Sequence, residues 1–156
     1  MPKDLNYRSE EMVLHRYGKR NFANYFFDLF CTGAGLSFIG ALMTDITYVK
    51  SPDMQWTNFS AWLLLFAMVF ATAAGFFGLL SLIIERPLRW SGLNWLYVLC
   101  LVAIFVAGLF NNFIHSRDAW TSVMPTGVLL SLFTVFLVLV AAIVRSATTN
   151  IYARYE

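Results

Sequence analysis

Charged residues are scarce in this chain of 156 residues. They make up 13% of it, about half of the share that soluble domains carry. Hydrophobic residues make up 59%, which is more apolar surface than a core of this size can bury. This composition excludes an ordinary soluble domain and a disordered chain, and it indicates that much of the protein faces lipid.

Cysteine and histidine are rare as well. Cys31 and Cys100 lie in apolar runs, so we interpret them as small buried hydrophobic residues and not as a disulfide or redox pair. His15 precedes the first apolar run and His115 follows directly after the third. They are expected on opposite membrane sides, which excludes a haem held by two histidines of one chain. Zinc, P-loop, dinucleotide-binding and nucleophile-elbow motifs are missing. We therefore expect no metal ion, no cofactor and no catalytic residue.

Long apolar runs are what the sequence has in abundance. Four of them are long enough to cross a hydrocarbon core of about 30 Å; they cover residues 25–49, 60–84, 94–114 and 126–144. None alternates apolar with polar residues, so helices are preferred to a barrel. The sequence predicts an all-α membrane protein, a four-transmembrane-helix bundle with short loops.

Basic residues predict the orientation and the domain organisation. Nine of the eleven Lys and Arg fall in residues 1–24, in the second connection and in residues 145–156, while the first and third connections carry only Lys50 and Arg117. By the positive-inside rule, both termini are expected on the cytoplasmic side of the membrane. Residues 25–144 form the bundle between a basic tail, which could include an interfacial helix, and a second cytoplasmic tail.

Small and polar residues indicate the faces on which the helices pack, because small side chains allow close approach. They recur every four residues on three of the runs. The predicted packing positions are Gly33, Ser37 and Ala41 on the first run, Ala67, Ala71 and Gly75 on the second, and Ala103 and Ala107 on the third.

Two of these stripes end in titratable residues at similar depth. Asp45 ends the first stripe, and Asn111 and His115 end the third. We expect them to form an outward-facing polar cluster, with Arg117 and Asp118 close by. Such a cluster could accept a proton or dock a partner; alternatively, it caps helix ends and ties the outer loops together.

Several stretches resemble a known family. They are Thr44–Tyr48, Met54–Leu63, Asn112–Trp120, Val123–Gly127 and Leu130-Ser131. Together they are similar to the bacterial "domain of unknown function 2231" family of four-helix inner-membrane proteins, over about residues 36–140. The resemblance implies a bacterial membrane protein with four spans, which agrees with the four apolar runs.

The function expected from the sequence is that of a non-catalytic accessory subunit. The chain would anchor or stabilise a larger inner-membrane or periplasmic complex, such as a respiratory enzyme, and its partners would be lipid and other membrane or periplasmic subunits or further copies of itself, not nucleic acid. One alternative is an electron-transfer subunit that binds haem or quinone near His115, with Met54 or Met124 as the second haem ligand. A small oligomeric transporter is a weaker alternative, since the middle turns of the spans carry no charge.

Overall fold

Four long helices make up the part of the protein that the structure describes. The computed structural model describes residues 22–85, 92–117 and 123–154, without the side chains of 85 and 149–154. The helices are α1 (Phe22–Lys50), α2 (Met54–Glu85), α3 (Gly92–His115) and α4 (Val128–Arg154), and a short helical segment, Val123–Gly127, leads into α4. The described ranges contain no strand. Four apolar helices of spanning length are present, which confirms the predicted all-α membrane fold.

The helices extend beyond the predicted spans. Helix α2 begins at Met54 instead of residue 60, and the predicted connection of ten residues shrinks to three. The reason is a cap: Asp53 Oδ1 accepts a hydrogen bond from the backbone N–H of Gln55 at 3.0 Å, which satisfies a donor that a helix N-terminus leaves unpaired. Helix α4 likewise continues through Arg145 to Arg154, so the predicted second tail begins inside a helix.

Five of the eight small residues in the predicted stripes are buried or lie against a neighbouring helix. Ala41 and Ala67 are fully buried in the core, Ala107 and Ser37 are buried at its edge, and Gly33 lies under the ring of Phe70. Ala103 is half-buried. Helices α1 and α2 form the most extensive contact, and α3 and α4 form the next. The bundle is thus two closely packed helix pairs.

Gly75 does not lie in a packing seam. No atom lies within 4 Å of the position that its Cβ would occupy. Together with Ala71, it borders a cavity between the helices. The predicted close packing against a neighbouring helix is therefore not found at Gly75. A stripe of small residues permits a close approach but does not show which helix fills the space.

One close approach occurs at Gly108, which the sequence analysis did not single out. A Cβ there would lie 2.6 Å from Cζ of Phe38 and 3.0 Å from Sδ of Met68, and Phe38 is 1% exposed, so it has little room to move. We expect Gly108→Ala to lower the free energy of unfolding by about 1–3 kcal/mol through overpacking, as measured by unfolding in detergent.

The matched control is Gly75→Ala, whose added methyl group meets open space. It should leave stability unchanged or raise it slightly, since alanine favours the helix. Equal losses in the two variants would contradict this account of the interface.

Candidate functional site

One carboxylate connects α1 to the other three helices. Asp45 is fully buried. Its Oδ1 accepts a hydrogen bond from Ser60 Oγ of α2 at 2.5 Å and lies 3.0 Å from Nε2 of His115 of α3, and its Oδ2 accepts from Ser131 Oγ of α4 at 2.6 Å. We call these residues, with Asn111, the Asp45 cluster. Every helix contributes at least one side chain to it.

Helix length explains why these groups meet. His115 is the last of the 24 residues of α3, and Asp45 lies equally far from the start of α1. The two helices run in the same direction, so at 1.5 Å per residue the side chains reach the same depth. Ser60 lies near the start of α2 and Ser131 near the start of α4, at the same end of the antiparallel neighbours.

The hydrogen bonds of His115 restrict where its protons can be. Nδ1 lies 3.0 Å from the backbone oxygen of Asn111. A carbonyl oxygen can only accept, so Nδ1 carries a hydrogen. Nε2 then either donates to the Asp45 carboxylate as part of an imidazolium ion or accepts the proton of a neutral carboxyl group. Both forms hold the same number of protons, so the contact is an ion pair or its neutral equivalent.

A second layer of hydrogen bonds orients the two serines. Asn111 Nδ2 donates to Ser131 Oγ at 2.8 Å, which leaves the serine hydrogen for Asp45. The hydroxyl groups of Thr44 and Ser60 lie 2.7 Å apart. The amide oxygen of Asn111 is buried and has no hydrogen-bond partner among the described residues. Apart from that oxygen, the cluster satisfies its own polar groups.

The structure brings together only part of the predicted cluster. Asp45, Asn111 and His115 are in contact, while Arg117 is exposed beyond the end of α3, and Asp118 lies outside the described residues. The cluster lies near one end of the bundle and is buried there. The physical reason is that Ser60 and Ser131 close over Asp45, and sequence reasoning missed both.

His115 does not offer a free ring nitrogen to a haem iron. His115 is 5% exposed and uses both ring nitrogens inside the bundle. The thioethers proposed as the second ligand belong to Met54 and Met124, whose side chains are about half exposed. No group of three His, Cys, Asp or Glu within the described ranges could hold a metal ion. The arrangement is therefore suited to holding four helices together.

A second polar group lies at the opposite end of the bundle. Arg145 of α4 forms an ion pair with Asp28 of α1 and donates from Nη1 to the hydroxyl oxygen of Tyr97 of α3 at 3.0 Å. Its guanidinium carbon lies 5.3 Å from the ring centre of Phe27 and 5.4 Å from that of Tyr97, which suits a cation–π contact. We call Asp28, Tyr97 and Arg145 the Arg145 cluster.

An apolar cavity of about 1010 Å³ adjoins the Arg145 cluster. Residues of all four helices line it, and they include all three members of the Arg145 cluster. The sequence analysis used Arg145 only as one of the basic residues that predict the orientation. Its pairing with Asp28 spans 117 residues of chain, and no local pattern indicates it.

Comparison with known proteins identifies the family. A family model described as "Predicted membrane protein (DUF2231)" matches residues 36–144, which is more than half of the chain. The chain belongs to the DUF2231 family. This confirms the resemblance drawn from the sequence motifs. All members of the Asp45 cluster fall inside the matched region of this DUF2231 protein, whereas Asp28 and Arg145 fall outside it. No curated protein and no solved structure matches the chain.

Proposed function

We propose that this DUF2231 protein is a non-catalytic membrane subunit that anchors or stabilises a larger inner-membrane or periplasmic assembly. The observation that carries the proposal is the closure of the Asp45 cluster. A catalytic acid or base must reach a substrate, but Asp45 is fully buried and its contacts run to the other three helices. The groups best suited to chemistry are therefore engaged in holding the bundle, and the protein acts through its surface.

An aromatic row on α2 is the surface we assign to the partner. Phe59, Trp62 and Phe66 are each 47–59% exposed, and their spacing places them on one helical face. Trp62 and Phe66 have ring centres 6.3 Å apart. Aromatic residues, tryptophan above all, are enriched among the residues that dominate interface energies, which supports a docking role for this row.

The test is purification from native membranes in mild detergent. We expect a second protein to co-migrate at a fixed ratio, and its level to fall when the gene for this chain is deleted. Trp62→Ala should lower recovery of that partner about tenfold, corresponding to ~1.4 kcal/mol of binding energy. The control is Leu129→Ala, which removes a side chain that is 62% exposed on α4.

Two results would contradict the proposal. One is a chain that purifies alone, at the size of a monomer. The other is a Soret band or bound quinone at one per chain, which would favour the electron-transfer alternative.

We also propose that the protein lies in a bacterial inner membrane, with both ends of the chain on the cytoplasmic side. The support is the distribution of basic residues in the sequence, of which only Lys50 and Arg117 lie in or next to the first and third connections. Fusion of alkaline phosphatase after Glu156 should give an inactive reporter, and fusion within residues 51–53 an active one. The reverse pattern would contradict this orientation.

A further inference from the structure

We propose that the cavity beside the Arg145 cluster binds one phospholipid, with an acyl chain inside the cavity and a zwitterionic phosphoethanolamine head group at Asp28 and Arg145. The proposal concerns a ligand site within the bundle. It does not depend on the accessory role proposed above.

The walls of the cavity require an apolar occupant. Most of the lining residues are apolar, and the polar side chains among them are confined to Asp28, Cys31, Thr32, Thr72, Tyr97 and Arg145. Water needs two to four polar partners to be stable in a cavity, and these walls offer few. An empty space would leave the lining atoms without contacts on one side. A hydrocarbon chain would supply these missing van der Waals contacts.

The cavity is open to the bilayer and has the length of one leaflet. Its lining includes Leu36, Phe76 and Leu79, each more than 60% exposed on the surface of the bundle, so a chain can enter sideways from lipid. From Asp28 the lining continues along α1 as far as Ile39, about 16 Å at 1.5 Å per residue. This is close to half of a hydrocarbon core of about 30 Å.

The Arg145 cluster selects the head group. The side chains of Arg145 and Asp28 are 38% and 31% exposed, so a polar head group can reach both. A guanidinium group matches the oxygens of a phosphate, and a carboxylate attracts an ammonium group. Because the acid and the base are adjacent and balance each other, a head group with one charge of each sign fits better than one with net negative charge.

The rings of Phe27 and Tyr97 hold the guanidinium group at the end of the cavity. The phosphate of a bound lipid would therefore stay at one place while the chain extends along α1. This combination of a fixed polar end and an apolar body is the usual composition of a ligand pocket.

The test measures the lipid that remains on the protein after extensive detergent washing. Gly75 lines the cavity, and a Cβ at this position meets no atom within 4 Å, so Gly75→Leu should fold and fill space that the acyl chain needs. The matched control is Gly92→Leu, which also meets no atom within 4 Å but lies outside the cavity. We expect about one phosphatidylethanolamine per chain in the wild type and the control, and about tenfold less in Gly75→Leu.

A second arm tests the head group. Delipidated wild-type protein is supplied with phosphatidylethanolamine, phosphatidylglycerol or ubiquinone, and the thermal midpoint is measured. We expect the largest rise with phosphatidylethanolamine, and we expect the double variant Asp28→Asn/Arg145→Gln to lose the difference between the two phospholipids. This arm needs no cavity variant, so it decides the matter even if Gly75→Leu fails to fold.

Three outcomes would overturn the proposal. They are a washed wild-type protein without bound phospholipid, a Gly75→Leu protein that folds and retains as much as the control, and a larger rise in thermal midpoint with phosphatidylglycerol or ubiquinone than with phosphatidylethanolamine.

Discussion

Replacement of Asp45 by alanine should lower the free energy of unfolding by about 3–5 kcal/mol, the usual cost of removing one partner of a buried charged pair. The variant leaves the hydroxyl groups of Ser60 and Ser131 and the imidazole of His115 without the carboxyl group to which they are hydrogen-bonded, in a place that water does not reach. Typical domains are stable by only about 5–15 kcal/mol, so the folded yield in membranes should fall as well. Unfolding in detergent, followed by circular dichroism, measures the change.

Two further substitutions show whether the loss comes from burial and hydrogen bonding. Asp53→Ala removes an exposed carboxylate that caps α2 and should cost about 1 kcal/mol. Asp45→Asn keeps the shape of the side chain but replaces an acceptor oxygen by a donor, so its cost should be intermediate. A stability of Asp45→Ala within about 0.5 kcal/mol of the wild type would show that the cluster does not hold the bundle.

The second large effect is the coupling between Asp45 and His115. Each single alanine substitution leaves the other partner buried, whereas the double variant removes both groups. The double variant Asp45→Ala/His115→Ala should therefore be more stable than the sum of the single losses predicts, by about 2–3 kcal/mol. The measurement is a double-mutant cycle of free energies of unfolding.

Arg117→Ala supplies the comparison for that cycle. Arg117 follows His115 closely in the chain but is exposed, so its coupling to Asp45 should be near zero. Additive losses for Asp45 and His115 would contradict the contact.

The number of helices and the depth of the titratable residues could be predicted from the sequence, for physical reasons. Lipid requires apolar runs of fixed length, and two such runs with the same direction place Asp45 and His115 at one depth. The positions of Ser60 and Ser131 could not be predicted in the same way. Serine occurs on lipid-facing and packed helix faces alike, and the rotation of α2 and α4 about their axes depends on packing along their whole length.

Helix ends and the Arg145 cluster show another limit of sequence reasoning. An apolar run ends where charge begins, so Arg145 marked the end of the fourth predicted span. The helix continues because Asp28 and Tyr97 satisfy the guanidinium group inside the bundle. A charge that has partners on two other helices does not terminate a span, but those partners are known only when the helices are assembled.

The most direct measurement of the central claim is the distance between the imidazole of His115 and the carboxyl group of Asp45 in a lipid bilayer. The chain has two histidines, so His15→Gln leaves one histidine signal for solid-state nuclear magnetic resonance. The labels are ¹⁵N in histidine and ¹³C in the aspartate carboxyl groups. A contact of 3.0 Å between Nε2 and Oδ1 places the carboxyl carbon close enough for a measurable dipolar coupling to Nε2. Asp45→Asn should remove this coupling when aspartate alone is labelled. A spectrum of the folded protein without that coupling would contradict a bundle held together by the carboxylate of Asp45.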